Sequence, residues 1–417
     1  MSSRVPHEKA LDSTLAFLRE GYDFIPRRCE KHGSTIFEAR LLMEKTLFLR
    51  GEEAARVFYD RERFTREGAA PGRLRKTLFG EGGVQGLEGQ AHRVRKQLFL
   101  GLMDPDRIQE LVDLTRDHWR ARLPKWEAAQ RVVLFGEMNE IICQGVHDWV
   151  GLPLADSELA ERTRELTLLI DSAGAIGIHH WKGRAARKRA ERRLADVIES
   201  VRSQSMTPGD HTFLHQVAWH RDWDDTLLDA RVAAVELLNV LRPVVAVSRY
   251  IVFAALAMHH YPEERRKLQA DKEGGYRACF LEEVRRFYPF FPCLVARTRV
   301  PFEWQGVEFP KDRQVVFDLY GTNHDPYVWQ DPESFNPDRF TGWEDSGFAL
   351  VPQGGDTAAG NHRCPGERIT LALMLMAVEE LTQTIDYQIP DQDLAIPQDR
   401  MPTLPRSGLV LSPVRRQ

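Results

Sequence analysis

The sequence predicts a mainly α protein, one large helical domain over residues 1–417 carrying small β-sheets. Three observations support that expectation. Helical 3.6-residue periodicity runs almost unbroken from Asp104 to Met258. Strand-like alternation is confined to Ser34–Gly51 and Leu294–Asp325. No linker, internal repeat or low-complexity segment divides the chain.

Taken in order, the N-terminus MSSRVPHEKALDSTLAFLREGYDF is polar and lacks the apolar run of a signal peptide. STIFEARLLMEKTLFLRG (Ser34 to Gly51) reads as a hairpin-like pair of strands, and EEAARVFYD after it as helix. The glycine-rich GEGGVQGLEGQ (Gly80 to Gln90) is loop. It is no phosphate cradle, because it lacks the G-x-x-x-x-G-K-[ST] pattern. AHRVRKQLFLGLM then starts a helix. The run from Asp104 includes the strongly basic Lys182 to Ser203, whose stripe Leu194, Val197, Ile198 and Val201 is expected to turn inward and leave the charges solvated. A docking face for a redox partner or an anionic surface is the alternative for that helix. The apolar Val244 to Met258 is too short for a membrane span and contains Ser248 and Arg249, so a buried helix is expected there and no transmembrane segment. Arg368 to Asp386 returns to helix, and a proline-rich tail closes the chain.

The composition is that of an ordinary soluble globular protein, with 42% hydrophobic and 28% charged residues. A net charge of −4 argues against a nucleic-acid partner. The five cysteines are odd in number and form no C-x-x-C pair, so they do not build a disulfide framework. A reducing, cytoplasmic setting is expected.

Two local features carry chemistry. In VPQGGDTAAGNHRCPGERITLALMLM a glycine-rich loop presents Cys364 just before a long apolar helix. A thiolate there gains from the helix dipole and from free backbone N–H groups. With no second cysteine nearby, zinc and iron–sulfur sites are disfavoured, whereas a single thiolate suits haem iron. The second feature is NVLRPVVAVSRYIVF. It places Arg242 beside Pro243 in an apolar run, although a guanidinium is rarely buried without a partner and proline disrupts a helix interior.

GNHRCPG resembles the cysteine-ligand loop G-x-[HR]-x-C-x-G of the cytochrome P450 family, through Gly360, His362, Cys364 and Gly366. Glu283 and Arg286 match that family's E-x-x-R helix, with Pro289 following, and Pro337, Arg339 and Phe340 match its P-x-R-F segment. The likeness spans essentially the full length. It implies a cytochrome P450 fold, with haem b between a long distal helix and the cysteine loop. It also implies Cys364 as axial thiolate and metal ligand, and a Glu–Arg–Arg network bracing the loop. His92 and Lys96 stand where the family sets a basic pair against the haem propionates, with Arg66 and Arg297 as further candidates.

The chain departs from the family twice. The acid and threonine that deliver protons in the family's long helix fall on Arg242 and Pro243, and the phenylalanine expected seven residues before the cysteine is Thr357. Together these departures, with GVQGLEG, LLNVLRP, VRRFYPFFP and HRCPGE, resemble the bacterial fatty-acid peroxygenases, closest to the α-hydroxylating branch. That likeness implies that Arg242 holds the carboxylate of a medium- or long-chain fatty acid and that hydrogen peroxide is the oxidant, with no dedicated reductase. It places Gln85 toward the haem, where glutamine goes with 2-hydroxylation. Phe79, Phe290, Phe291 and Ile170 are candidates for the chain's apolar channel, with core packing the alternative for each. A reductase-dependent monooxygenase and a non-catalytic haem sensor are the competing readings.

Overall fold

The computed structural model describes residues 5–174, 177–357 and 361–417. Gly360, one of the four loop positions matched by motif, lies outside them. The helices in chain order are α1 (Thr14–Glu20), α2 (Phe24–His32), α3 (Glu52–Phe58), the single turn α4 (Gly72–Leu74), α5 (Gly89–Leu100), α6 (Pro105–Ala128), α7 (Leu134–Val150) and α8 (Asp156–Asp171). They continue with α9 (Ile178–Arg202), α10 (Phe213–Ala218), α11 (Ala230–Ala246), α12 (Ser248–His260), α13 (Pro262–Ala270), α14 (Gly275–Phe287), α15 (Leu319–Asn323) and α16 (Glu367–Gln383).

The expected hairpin is β1 (Ile36–Leu41) and β2 (Glu44–Leu49), antiparallel with Phe37 opposite Phe48. The two rings stack with centroids 4.7 Å apart, the cross-strand contact that holds the register. Three more strands, β3 (Phe64–Thr65), β5 (Cys293–Thr298) and β8 (Gln314–Asp318), complete a five-stranded sheet in the order β1-β2-β8-β5-β3. Between them in sequence lie β4 (Val132–Val133), β6 (Phe302–Trp304) and β7 (Val307–Phe309); β9 (Ile385–Tyr387), β10 (Val410–Leu411) and β11 (Val414–Arg416) follow. These form three two-stranded sheets. The last helix therefore stops three residues short of the expected Asp386, because Ile385–Tyr387 pairs with the C-terminal strand instead.

The helical core is built around α11 and α12. α11 packs on α7, α8 and α9, and α12 on α7, α14 and α16. Ala230–His260 is long and apolar enough to cross a membrane, but 94% of its most apolar window is buried inside the protein. Its neighbours already supply the apolar surroundings that a bilayer would, so it is a core helix. The basic helix α9 turns Leu194, Ile198 and Val201 inward as expected, with Val197 half-buried. Arg187, in the same charge run, is buried too, which the solvated-face expectation missed. It pairs with Glu191 at 2.5 Å and donates to the carbonyls of Leu78 at 2.9 Å and Phe79 at 3.2 Å.

The Glu–Arg–Arg network is present. Arg286 makes two bonds to Glu283, at 2.6 and 2.8 Å, and Arg339 reaches the same carboxylate at 3.2 Å. Glu283 and Arg286 are fully buried. The remaining donors of Arg286 meet the carbonyls of Asn323 and Pro332, both at 2.9 Å. The Asn323 side chain in turn accepts from the N–H of Val351, at the start of the cysteine loop. Burial of these charges is tolerated because each is paired, and the pairing ties α14, α15 and the loop together.

Candidate active site

Cys364 lies three residues before α16, and its N–H donates to the Gln353 carbonyl at 3.1 Å. Burial raises the thiol. Against that act the Gly366 N–H, which donates to sulfur, and the cations of Arg285 and Lys96. Arg285 is buried beneath the loop, paired with Glu282 at 2.5 Å and with Glu367. Arg363 holds the other side of Glu367 at 2.6 Å. Loop and helix start are thus pinned by ion pairs, and the sulfur is left facing inward.

A cavity of about 360 Å³ opens beside the loop, lined by Arg61, Arg66, His92, Arg93, Arg299 and His362 among others. The His92 and His362 rings lie 4.6 Å apart. Burial, followed by the charge of Lys96, pulls His92 down to about 4. Burial holds His362 well below its ordinary value. Arg66 is brought down to about 10 by burial, its guanidinium stacked 3.9 Å from the Phe58 ring centroid and its Nη1 without a partner. Lys96 donates to the Asn361 carbonyl, and burial lowers it to about 8. Asp60, Glu62 and Glu88 are the acids lining this cavity, and Glu88 takes Arg299 at 3.3 Å and the Arg66 N–H at 2.7 Å. With Lys96, the cations around this cavity outnumber its three carboxylates, and Arg66 and Lys96 among them are desolvated, which suits an anionic ligand, so these residues fit the two propionates of a haem. Arg297 stands apart, paired with Glu44 at 2.7 Å, and it is Arg299, two residues on, that lines the cavity.

Across from Cys364 stands Arg242 on α11, 6% exposed. Its Nε is buried and unpartnered, and no carboxylate pairs with its guanidinium among the described residues. Burial, then the like charge of Arg187, brings it down to about 9, while Cys364 pulls the other way. A buried cation in this condition is a receptor for an anion. Pro243, inside α11, is half-buried, and the helix gives way to a turn at Val247 before α12 begins.

Residues the sequence did not single out adjoin Arg242. Asn239 and Glu236 precede it by one and two helical turns. Asn239 donates to Glu236 at 2.9 Å and to Gln85 at 3.1 Å, and Arg95 pairs with Glu236 at 2.7 Å and with Asp222 at 2.5 Å. The glycine loop reaches this helix because it lacks side chains there. A Cβ on Gly83 would lie 2.9 Å from Asn239 Nδ2, and one on Gly80, at φ +83°, would meet Arg187 and Val235. Helical spacing from Arg242 is the signal that could have found Asn239 and Glu236.

Of the channel candidates, Phe79 is half-buried at the end of the turn that Arg187 caps. Phe291 is half-buried against Phe290, with ring centroids 4.8 Å apart. Phe290 is buried against Tyr250 at 4.7 Å, and Ile170 is buried on α8 in the main core.

The family model for cytochrome P450 matches residues 276–416. The structure is similar to that of cytochrome P450EX alpha with myristic acid, at 43% identity, covering 100% of both chains with a TM-score of 0.96. It is also similar to a variant of cytochrome P450 OleT in complex with arachidonic acid, at 32% identity over 100% of this chain and 99% of that one, with a TM-score of 0.96. Among curated proteins, cytochrome P450 84A4 of Arabidopsis thaliana is 35% identical over 118 residues, 27% of this chain and 22% of its own length.

Proposed function

The chain belongs to the cytochrome P450 family, and on that premise we propose that it is a hydrogen-peroxide-dependent haem-thiolate hydroxylase of medium- or long-chain fatty acids, acting mainly at C2. The observation that carries the reading is Arg242, a buried guanidinium with no carboxylate partner among the described residues, within electrostatic reach of Cys364. The fatty acids present in two similar structures, myristic and arachidonic, are ligands of the class that would complete it.

Cys364 is the residue to hold the haem iron, and Arg66, His92, Lys96 and His362 are those to meet its propionates. When bound, the haem supplies the oxidising power that carries an oxygen atom from peroxide to a C–H bond. The protein's own work is positioning. Arg242 takes the carboxylate through two parallel hydrogen bonds in a site shielded from water, where such a pair is strongest. The clamp brings C2 and C3 to the reacting centre and holds the rest of the chain away, so 3-hydroxylation and loss of the carboxyl to give a 1-alkene are the expected side reactions.

Neither residue 242 nor 243 offers the acid or hydroxyl of the family's proton relay. The clamped carboxylate replaces it, accepting a proton from hydrogen peroxide and returning it to the departing oxygen as water. The balance is R–CH2–COOH + H2O2 → R–CH(OH)–COOH + H2O, which needs no reductase. The site draws on residues from Arg66 to Cys364, so the chain acts as one catalytic unit.

The test is to give the purified holoprotein myristic acid and hydrogen peroxide without NADPH or reductase. Formation of 2-hydroxymyristate supports the reading. Turnover that starts only when a ferredoxin system is added would make the protein a reductase-dependent monooxygenase.

A further inference from the structure

The segment from Leu78 to Gln85 runs between α9 and α11 and is pinned at both ends. At its far end Gln85 accepts from Asn239 of α11 at 3.1 Å. At its near end the pin is Arg187 of α9. Its Nη1 donates to the Leu78 carbonyl at 2.9 Å and its Nη2 to the Phe79 carbonyl at 3.2 Å. Between the pins the chain lies close against α11, where a Cβ on Gly83 would stand 3.0 Å from Val235. Val235, Asn239 and Arg242 follow one another at four and three residues, so they share one face of α11. The pinned segment therefore lies along the face that carries Arg242.

The near pin meets a backbone that has no partner of its own there. Arg75–Phe79 is a single π-type turn, closed by the Gly80 N–H on the Arg75 carbonyl at 2.8 Å. A helical turn leaves its last carbonyls outside its own ladder, and isolated π turns concentrate at functional sites. A guanidinium can take two adjacent carbonyls at once because its N–H groups form a rigid fork. Arg187 is only 2% exposed, and its Nε is held by Glu191, one turn on, at 2.5 Å. All three of its nitrogens are thus engaged and its direction is fixed. Gly80 makes room for it: at φ +83°, a Cβ there would run into Arg187 Nη2 and into Val235.

We propose that Arg187 is a positioning residue for the reaction: by fixing the Leu78 and Phe79 carbonyls it holds the segment that carries Phe79 and Gln85 against the Arg242 face of α11, and so fixes which carbon of the clamped acid is attacked. The pin stands on the hydrogen bonds alone, and its consequence for the product rests on the fatty-acid reading above. Arg187 acts through the segment and not on the substrate. Carbons 2 and 3 of a clamped acid are neighbours, so a shift of about 1 Å in what surrounds them is enough to change which one reacts.

The experiment compares the wild-type holoprotein with Arg187→Met, Arg187→Lys and Gly80→Ala. Two quantities are read: amide hydrogen exchange of residues 78–85 without substrate, and the ratio of 3-hydroxy to 2-hydroxy product from myristic acid and hydrogen peroxide. Arg187→Met removes both bonds, and exchange in the segment should quicken at least about tenfold. Its 3-hydroxy to 2-hydroxy ratio should rise about fivefold. Gly80→Ala keeps the guanidinium and its charge but drives it from the Phe79 carbonyl, and should shift the ratio in the same direction. Arg187→Lys keeps the charge and reaches one carbonyl at a time, so it should fall between Arg187→Met and wild type. Wild-type product ratios in Arg187→Met and Gly80→Ala overturn the proposal, even beside a lower melting temperature or slower total turnover, which mark only a brace of the fold. A shift in Arg187→Met that is absent from Gly80→Ala and fully restored by Arg187→Lys assigns the effect to charge and overturns it too. A wild type that makes neither hydroxy acid removes the fatty-acid reading and this proposal with it, leaving the exchange result to speak for the pin alone.

Discussion

The side-chain amide of Asn239 donates to the fully buried carboxylate of Glu236 at 2.9 Å. A carboxylate only accepts, so this contact fixes which end of Asn239 is nitrogen. The same nitrogen donates to Gln85 Oε1 at 3.1 Å, which fixes Gln85 in turn and leaves its NH2 group as the end not taken by α11. Burial raises the Glu236 carboxyl, and the Asn239 amide and Arg95, paired with it at 2.7 Å, oppose that rise. The relay therefore leaves Gln85 to meet any further partner of its side-chain nitrogen as a hydrogen-bond donor.

Asn239→Leu removes the middle of this relay while leaving the Arg95–Glu236 pair in place. The ratio of 2-hydroxy to 3-hydroxy product should shift by about fivefold, the equivalent of one hydrogen bond of about 1 kcal/mol. Fatty-acid affinity, which the proposed function assigns to Arg242, should stay within about twofold in a Soret titration. An unchanged product ratio would leave the relay without a role in selectivity.

Much of this site is readable from spacing. Cys364 announces itself by the loop that precedes its helix, and Glu283, Arg286 and Arg339 by their motifs. Arg242 is conspicuous because a charge beside a proline has no local reason to lie in an apolar helix. Arg187 was hidden by its neighbours: a run of arginines and lysines reads as a solvated face, yet Arg187 precedes Leu194 by two helical turns and so shares its buried side. Arg95, Glu236 and Asp222 pair across more than a hundred residues, and periodicity says nothing about which charges meet. The same limit separates Arg297, in β5, from Arg299, just past its end, since only their partners, Glu44 and Glu88, distinguish them.

Arg242→Met should make the protein more stable and nearly inactive. The guanidinium is buried, unpartnered among the described residues and repelled by Arg187. Replacing a buried charge by an apolar side chain of similar length is expected to stabilise by about 1–4 kcal/mol. Turnover of myristate should fall at least about a hundredfold as the clamp and its proton transfer are lost. Myristate should raise the melting temperature of the wild type and leave that of the variant unmoved. A lower melting temperature for the variant would mean that Arg242 has a stabilising partner within the fold.

Glu283→Gln tests the brace. The substitution keeps shape but removes the charge that balances Arg286 and Arg339, both of which remain in place with little or no exposure. Breaking a buried pair from one side costs about 3–5 kcal/mol. Urea unfolding of the variant should show a loss of that size, and haem retention on gel filtration should drop with it. Wild-type stability in the variant would show that the carbonyls around Arg286 suffice to hold it.

Asp318 gives a pH dependence with a definite sign. It caps α15, where its Oδ1 accepts the Gly321 N–H at 2.8 Å, while its Oδ2 is buried without a partner. Burial pushes its carboxyl up to about 7, with Asp325 adding to the rise and the Gly321 N–H and Arg50 opposing it. A carboxyl raised in the folded state contributes stability that is fully present below its unfolded value of about 4 and is lost as pH climbs through 7. Asp318→Asn keeps the capping oxygen and cannot ionise. Between pH 5 and pH 8 the wild type should lose on the order of 2 kcal/mol relative to this variant, read as the difference in urea midpoints at the two pH values. Parallel pH profiles for the two proteins would mean that Asp318 ionises at its ordinary value and that its second oxygen reaches water.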